Sequence, residues 1–238
     1  MSSACAHQMI LPGRSIIPRI IGNVRSAKIQ AQPCGVDLTL KRIKTWTSPG
    51  SVDFDNSLRV NASTVEVPFT RQDEQLQNLP AQSHLTLSND PPMFKKDMYG
   101  SQESVMLKPG AYLVEFNETV DTPLSLMGQI FVRSSLFRSG ALLSAGVMDS
   151  GYKGAVGAML QVVNPHGLLL FRDARLAQMV FHQMSEPVEG YSGVYQGLDS
   201  LEIRTLLRAH FLYWLARPSF LLDQVSVSLS AKDINNSR

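Results

Sequence analysis

The sequence predicts an all-β fold, either a sandwich or a barrel, because short strand-like segments alternate with turns through most of its 238 residues. Two segments, Val36-Asp-Leu-Thr-Leu40 and Ser63-Thr-Val-Glu-Val67, alternate apolar and polar side chains as half-buried strands do. Turn signals rich in Gly, Pro and Asn separate the segments that follow. Strands that recur about every ten residues are typical of all-β sandwiches and barrels.

The second half of the chain supplies most of the remaining strands. Lys108-Pro-Gly-Ala111 and Asn164-Pro-His-Gly167 are turn signals, because Pro and Gly favour the backbone angles that tight turns require. Apolar runs flank both turns. They predict strands at 105–107, 112–116, 159–163, 168–171 and 177–181.

Two stretches depart from the strand pattern. Residues 71–103 are rich in Gln, Asn, Ser, Asp and Pro, which predicts a long loop or insertion. From Leu198 onward the apolar residues follow the i, i+3, i+4, i+7 spacing of one helix face, which Pro218 ends. The sequence therefore predicts one β-domain over 1–197 and a C-terminal extension over 198–238 that is part helical.

The predicted extension has three interpretations that the sequence leaves open. It is a helix packed on the β-domain or its oligomer, a partner-binding helix, or a segment with no role in folding. Insertion into a membrane is disfavoured, because Arg204, Arg208 and Arg217 flank the apolar face without forming a strongly basic face.

Composition excludes several classes of protein. The 22 Lys and Arg residues nearly balance the 20 Asp and Glu residues, so the net charge of +2 gives no field that would attract nucleic acid or anionic lipid. The apolar run 209–216 is far shorter than the roughly 18 residues that a membrane-spanning helix needs. The N-terminus has neither the basic start nor the apolar core of a secretory signal.

The cysteines and histidines do not predict a metal centre or a disulfide framework. Cys5 and Cys34 are too few for disulfide scaffolding, and the five scattered histidines show none of the spacings of a zinc site. We therefore expect an intracellular protein, in the cytoplasm or nucleus and not secreted, with reduced thiols and with no nucleic-acid or membrane partner.

The most distinctive polar segment is Arg133-Ser-Ser-Leu-Phe-Arg138. Two guanidinium groups, with two hydroxyls and the start of a helical turn between them, are well suited to bind the oxygens of a phosphate group. By pattern alone, an Arg and Ser cluster of this kind is more commonly a solvated turn. The sequence contains no phosphate-binding glycine loop, no dinucleotide fingerprint and no serine-nucleophile elbow.

A glycine-rich loop follows, Ser144-Ala-Gly-Val-Met-Asp-Ser-Gly-Tyr-Lys-Gly154. It places one carboxylate, Asp149, three residues before an aromatic ring, Tyr152. The glycines permit tight turns and the close approach of a ligand to the backbone. The alternative interpretation is an ordinary glycine-rich β-turn with its usual aspartate.

Taken in order, these segments resemble the motifs of the dUTPase/dCTP deaminase family, and most of all those of its deaminase-like, archaeal-type dUTP diphosphatases. The resemblance covers roughly residues 9–197 and is strongest after Leu107. Because the motifs occur in the family's order, the match is far more specific than any one motif alone. The matching runs are 33–38, 109–123, 131–141, 149–154, 164–167, 174–181 and 189–197.

The resemblance implies a distorted β-barrel or jelly roll with short helices, assembled as a homotrimer with active sites between subunits. It implies a dUTP diphosphatase, which hydrolyses the small molecule dUTP to dUMP and pyrophosphate by Mg²⁺-assisted attack of water on the α-phosphate. Mg²⁺ suits this chemistry because it neutralises phosphate charge while keeping several of its waters. The residues that match the family's triphosphate-binding positions are Arg133, Ser134, Ser135 and Arg138.

The resemblance also assigns residues to the nucleoside and to the attacking water. Asp149 matches the carboxylate that contacts the 3′-hydroxyl and orients the water, which is general-base work. Tyr152 matches the ring packed under the deoxyribose, where it leaves no room for a 2′-hydroxyl. The main-chain groups implied to bind uracil are those of Ala145, Gly146 and Val147.

Four further residues have roles implied by the resemblance. Gln178 matches the glutamine near the phosphates or the attacking water, and Tyr195 and Gln196 match the C-terminal segment that closes over the nucleotide. Asp37 matches the first-motif aspartate near the waters of Mg²⁺, although the residues alone allow an ordinary strand-edge carboxylate. The implied catalytic residues are Asp149, Gln178 and Arg138.

One departure from the family bears on the reaction. Deaminating relatives carry a glutamate on the strand after the third motif, whereas residues 155–163 hold no carboxylate and Gly157 or Gln161 occupies the equivalent position. Deamination of dCTP, alone or beside dUTP hydrolysis, is therefore the weaker alternative. A non-catalytic deoxynucleotide-binding regulator on the same fold is the other.

Overall fold

The structure is a computed structural model, and it describes residues 9–71, 103–198 and 200 of the chain. Within these ranges the regular structure comprises twelve strands and three short helices. The strands are β1 (Ile21–Gly22), β2 (Ala31–Gln32), β3 (Gly35–Trp46), β4 (Thr64–Val67), β5 (Thr70–Arg71), β6 (Glu103–Leu107), β7 (Gly110–Asp121), β8 (Leu126–Val132), β9 (Ala141–Ser144), β10 (Lys153–Val162), β11 (Leu168–Phe171) and β12 (Arg175–Gln183). The helices are α1 (Gly13–Ile16), α2 (Ala27–Gln30) and α3 (Ser134–Arg138).

The described strands form two antiparallel sheets. The larger sheet has nine strands with the hydrogen-bonded order β8-β12-β3-β7-β10-β9, and β1, β2 and β4 pair with β7 or β3 beside this path. The smaller sheet has the order β11-β6-β5. β3 joins the two halves of the larger sheet, because its first residues pair with β12 and its later residues pair with β7. A bulge between Leu40 and Arg42 bends β3 at this changeover.

The core is built from the alternating apolar side chains of the long strands. From Ala158 to Val162, β10 alternates buried and exposed residues, as a strand with one face in the core does. Burying a side chain of the size of Leu or Phe stabilises a fold by roughly 1.5–3 kcal/mol. Large, fully buried side chains include Leu38, Leu40, Phe116, Leu160, Met179 and Phe181.

The all-β prediction is confirmed, since every strand predicted from the sequence overlaps an observed strand. β3 runs on to Trp46, well beyond the predicted segment, because Lys41 and Arg42 interrupt the apolar pattern that signals a strand. The structure places a buried carboxylate, Glu115 of β7, against these cations. Its Oε1 lies 2.7 Å from Lys41 Nζ and 3.4 Å from Arg42 Nη2.

Two predicted segments fall largely outside the described residues. The loop predicted at 71–103 is described only at its ends, where Arg71 ends β5 and Glu103 begins β6. Of the extension predicted at 198–238, only Leu198 and Ser200 are described. Both predictions, and the domain boundary between 197 and 198, stay predictions. In the described part of the chain, no helix has the length and apolar character needed to cross a membrane.

Candidate active site

A cavity of about 370 Å³ lies where the loop between β9 and β10 meets the C-terminal segment 189–197. Most of its walls are apolar side chains and backbone. Among the described residues, Asp149 is the only charged side chain that lines it. The lining residues are Ile130, Ala145, Gly146, Val147, Met148, Asp149, Tyr152, Ala155, Val156, Gly157, Tyr191 and Tyr195.

Backbone and side-chain hydrogen bonds fix the loop on both sides of Asp149. Met148 and Gly128 exchange two backbone hydrogen bonds of 2.9 Å, which tie the loop to β8. The buried Ser150 hydroxyl donates to the Leu126 carbonyl at 2.6 Å. The Asp149 side chain therefore projects from a short span that is anchored at each neighbour.

The next turn of this loop requires a glycine at position 151. Gly151 has a φ of +78°, in the left-handed region that disfavours residues with a Cβ. A Cβ placed there would lie 2.7 Å from the Cα of Gly190 in the C-terminal segment. The close approach of these two backbones brings the C-terminal segment onto the loop.

Tyr152 forms a rigid aromatic wall of the cavity. Its hydroxyl donates to the Ala155 carbonyl at 2.7 Å, and its ring contacts Tyr191 edge-on, with ring centroids 5.5 Å apart and planes at 74°. Burial raises the pKa of Tyr152, with a smaller contribution from Tyr191. The phenol therefore stays neutral, and its face is available to a sugar or another flat apolar group.

β10 contributes the floor of the cavity beyond Tyr152. A bulge between Ala155 and Gly157 interrupts the pairing of β10 with β7 at the cavity, and bulges of this kind often lie next to active sites. Of the two positions that could match the deaminase glutamate, Gly157 lines the cavity, whereas Gln161 is exposed and does not. No carboxylate other than Asp149 lines the cavity in the described part of the chain.

The C-terminal segment closes one side of the cavity. Tyr195 lines it, and its hydroxyl donates to Asn61 Oδ1 at 3.3 Å. Gln196 does not line the cavity, because both ends of its amide bind the loop backbone. Its Oε1 accepts from the Lys153 N–H at 3.0 Å and its Nε2 donates to the Gly151 carbonyl at 2.9 Å. The predicted contact of Gln196 with nucleotide stays a prediction.

A second group of residues, most of them predicted, lies on β3, directly after β8 and on β12. Asp37, whose side chain is 1% exposed, forms an ion pair through Oδ2 with Arg133 Nε at 3.2 Å and accepts on the same oxygen from Arg175 Nη1 at 3.0 Å. We call Asp37, Arg133 and Arg175 the arginine cluster. Gln178 lies opposite Asp37 in the β12–β3 register, and its Nε2 donates to the Cys34 carbonyl at 2.9 Å.

The remaining predicted phosphate-binding residues lie in α3, directly after Arg133. Ser134, Ser135 and Arg138 are exposed, and α3 confirms the short helical turn predicted for this segment. None of the α3 residues, Arg133 or Gln178 lines the cavity. The predicted site residues therefore form two separate groups within one chain.

The described residues contain no cluster of three or more His, Cys, Asp or Glu side chains arranged to hold a metal ion. Asp37 is enclosed by two guanidinium groups, and Asp149 is a single carboxylate at the cavity. One carboxylate together with substrate phosphates is a common setting for Mg²⁺, which rarely uses an all-protein cage. Asp149 fits that setting better than Asp37 does.

Sequence reasoning assigned no role to several residues that the structure brings to these groups, and three of them are informative. Tyr191 and Ile130 line the cavity, and Arg175 belongs to the arginine cluster. Tyr191 and Arg175 lie inside the matching runs 189–197 and 174–181, so both residues are usable signals, although the sequence does not show that Arg175 meets Asp37. Ile130 lies outside the matching runs, on a strand where the sequence does not show which face a side chain meets.

Comparison with known proteins reveals relatives across most of the described chain. Residues 10–184 match the dCTP deaminase-like family. A probable deoxyuridine 5′-triphosphate nucleotidohydrolase of Methanosarcina mazei is 39% identical over 180 residues, which cover 75% of this chain and 88% of the relative. The deoxyuridine 5′-triphosphate nucleotidohydrolase of Methanocaldococcus jannaschii is 29% identical over 168 residues, covering 71% and 88%. The crystal structure of the 2′-deoxycytidine 5′-triphosphate deaminase from Agrobacterium tumefaciens aligns with a TM-score of 0.46 and 16% identity, covering 74% of this chain and 48% of that chain.

Proposed function

The chain belongs to the dCTP deaminase-like family, and from that membership we propose that it is a dUTP diphosphatase, which hydrolyses dUTP to dUMP and pyrophosphate. The observation that carries this function is the cavity in which Asp149 is the only charged lining side chain among the described residues and stands beside the aromatic wall of Tyr152. A cavity of this size is in the range of small-molecule sites. The relatives named as deoxyuridine triphosphate nucleotidohydrolases support the choice of substrate.

The nucleoside part of dUTP is proposed to occupy the cavity. Ala145, Gly146 and Val147 are exposed, and a Cβ at Gly146 would meet nothing within 4 Å, so the backbone there is open to a base. Backbone N–H and C=O groups form hydrogen bonds with a pyrimidine edge without needing particular side chains. Tyr152 then lies under the deoxyribose, where its fixed ring excludes a 2′-hydroxyl.

Asp149 is proposed to orient the attacking water and to take its proton. A correctly placed general base accelerates such a step by about 10²–10⁴-fold. The anchors at Met148 and Ser150 hold the carboxylate in place before substrate binds, so little ordering is needed during the reaction. Gln178 and Arg138 are proposed to act at the phosphates.

The triphosphate is proposed to be bound by a neighbouring subunit of a homotrimer. The cavity has no Lys or Arg among its described lining residues, although a triphosphate carries several negative charges. Arg133, Ser134, Ser135 and Arg138 lie apart from it and offer the donors that phosphate oxygens require. A cavity on one subunit that meets these donors on the next would complete the site.

Mg²⁺ bound with the triphosphate would neutralise part of its charge, and Asp149, the only carboxylate that lines the cavity among the described residues, would be the side chain available to hold it. The remaining charge is left to the arginine side chains. The predicted role of Asp37 near the Mg²⁺ waters is less well supported, because two guanidinium groups already occupy its Oδ2.

Incubation of the full chain with dUTP, UTP and dCTP tests the function, with pyrophosphate and ammonia both followed. We expect pyrophosphate from dUTP, little from UTP and no ammonia from dCTP, because Gly157 supplies no side chain for deamination. Tight dUTP binding without turnover would support the regulator instead. Ammonia from dCTP would support the deaminase.

Subunit mixing tests the shared site. Asp149→Asn and Arg138→Gln variants are each expected to be inactive, and mixed trimers of the two should regain about a quarter of the sites if each site joins two subunits at random. Unfolding and refolding of the mixture provides the exchange, and each variant refolded alone is the control. A mixture that remains inactive would contradict sites shared between subunits.

A further inference from the structure

The arginine cluster holds two cations around one buried carboxylate. Arg133 and Arg175 both bind Oδ2 of Asp37, and Gln32 Nε2 also donates to this oxygen, at 3.3 Å. The Asp37 side chain is 1% exposed, whereas those of Arg133 and Arg175 are 25% and 34% exposed. The carboxylate is therefore inside the protein, and the two guanidinium groups lie between it and solvent.

The cluster is fixed by backbone contacts as well as by charge. Arg133 Nη1 donates to the carbonyl of Arg175 at 3.2 Å, and Arg175 Nη1 donates to the carbonyl of Ile29 at 3.1 Å. Each guanidinium has five N–H donors, and in the described part of the chain no partner is found for the Nη2 atom of either one. Both side chains are thus oriented and still have donors to offer.

The charges of the cluster do not cancel. An ion pair of Asp37 with Arg133 alone would be neutral, and its attraction for an anion would be weak. The second guanidinium, from Arg175, leaves the cluster with a net positive charge while Asp37 continues to hold Arg133. Arg175 therefore determines whether Arg133 can attract an anion.

We propose that Arg175 is a further residue of the phosphate site: it offsets the charge of Asp37, which orients Arg133, so that the cluster binds an anionic polyphosphate. This inference rests on the proposed function, since Arg133 is taken to face the triphosphate. Asp37 is then a positioning residue for arginine and does not orient the waters of Mg²⁺.

The surroundings of Asp37 support a positioning role. Its Oδ1 is buried and has no hydrogen-bond partner in the described part of the chain, so the carboxylate offers no solvent-facing oxygen to a hydrated cation. Burial raises the pKa of Asp37, and the nearby Arg133 and Arg175 oppose that shift. A divalent cation placed beside Asp37 would also be repelled by both guanidinium groups.

Inorganic pyrophosphate, measured by titration calorimetry with the full chain and a metal chelator, tests the inference without turnover. Arg175→Gln is expected to weaken pyrophosphate binding about tenfold, the scale of one lost charge-assisted hydrogen bond or charge. Arg175→Lys keeps the charge and should retain most of the affinity. Deoxyuridine binding, which reports on the cavity, should be unchanged in both variants.

The double variant Asp37→Asn/Arg175→Gln separates charge from structure. The double variant lacks one negative and one positive charge, so the cluster is again net positive, as in the wild type. Its pyrophosphate affinity should therefore be higher than that of Arg175→Gln alone. A merely structural role would make the double variant weaker than either single variant.

The inference would be overturned by absence of pyrophosphate binding to the wild type, by an unchanged affinity in Arg175→Gln, or by a double variant weaker than that single variant. Loss of deoxyuridine binding in Arg175→Gln would likewise contradict it, because Arg175 would then support the cavity as much as the phosphate site. A wild type that binds pyrophosphate through Arg175 but leaves dUTP intact would contradict the proposed function and support this inference. If Arg175→Gln leaves both dUTP hydrolysis and pyrophosphate binding unchanged, the result would contradict this inference and support the proposed function.

Discussion

Replacing Gln196 with alanine removes both hydrogen bonds by which its side chain holds the loop around Tyr152. The amide accepts from the Lys153 N–H at 3.0 Å and donates to the Gly151 carbonyl at 2.9 Å. Each bond of this kind contributes a net ~0.5–1.5 kcal/mol, so the variant loses about 1–3 kcal/mol of the free energy that docks the segment. The ratio of docked to undocked segment should fall by roughly 5- to 150-fold.

Hydrogen exchange in the free protein measures this effect directly. The Lys153 amide should exchange faster in Gln196→Ala, because its acceptor is gone, and kcat/KM for dUTP should fall in parallel. Gln196→Glu is the matched control, since its carboxylate still accepts from Lys153 but cannot donate to Gly151. Its exchange rate and kcat/KM should lie between those of the alanine variant and the wild type.

The backbone contacts that remain set a limit on the loss. Gly197 N–H still donates to the Lys153 carbonyl at 2.7 Å, and Ala155 N–H still donates to the Leu198 carbonyl at 2.7 Å. The midpoint of thermal unfolding should therefore change little. Unchanged exchange at Lys153 together with a raised KM for dUTP would refute the reasoning, because it would mean that Gln196 acts on the nucleotide and not on the loop.

Three other predictions follow from the same region. Asp149→Asn should lower dUTP hydrolysis by about 10²–10⁴-fold while dUTP binding is largely kept, as measured by pyrophosphate release and calorimetry; an active variant would remove Asp149 from its role. Gly151→Ala should lower the melting temperature by several degrees, because it combines a φ of +78° with a contact of 2.7 Å to Gly190 Cα, whereas Gly146→Ala, which meets nothing within 4 Å, should leave it nearly unchanged. Burial raises the pKa of Tyr152 above its ordinary value of 10.0, so the unfolded chain ionises first and stability is lost as the pH rises through the folded-state pKa. Urea denaturation between about pH 9 and pH 11 should show this loss in the wild type and a smaller one in Tyr152→Phe, and equal losses would contradict it.

The sequence predicts the strands and the cavity loop because both are encoded over short distances. An apolar run directly after the turn at 164–167 identifies β11 from four residues, and Asp149 and Tyr152 lie in one turn whose glycines are visible in the sequence. Such features depend on neighbouring residues alone, so tertiary contacts do not need to be known.

The arginine cluster could not be predicted in the same way. Asp37 and Arg175 are 138 residues apart, and they meet only because β12 pairs with β3 in the register that sets Gln178 opposite Asp37. A shift of one residue in this register would turn the side chains to the other face of the sheet. The continuation of β3 through Lys41 could not be predicted for the same reason. A charged residue does not look like part of a buried strand, and its partner Glu115 lies on β7, far away in the sequence.

The separation of the cavity from the arginine cluster also predicts how dUTP affinity arises. In the proposed site, deoxyuridine binds the cavity and pyrophosphate binds the arginine cluster. In dUTP the two parts are covalently joined, so one molecule binds both. Linking two ligands in this way turns the second binding event into an intramolecular one, so dUTP should bind far more tightly than either fragment. The cavity has no cationic lining residue in the described part of the chain, so under the proposed homotrimer that gain depends on the arginines of a second subunit. It should therefore disappear when the assembly dissociates, while the weaker binding of each fragment persists.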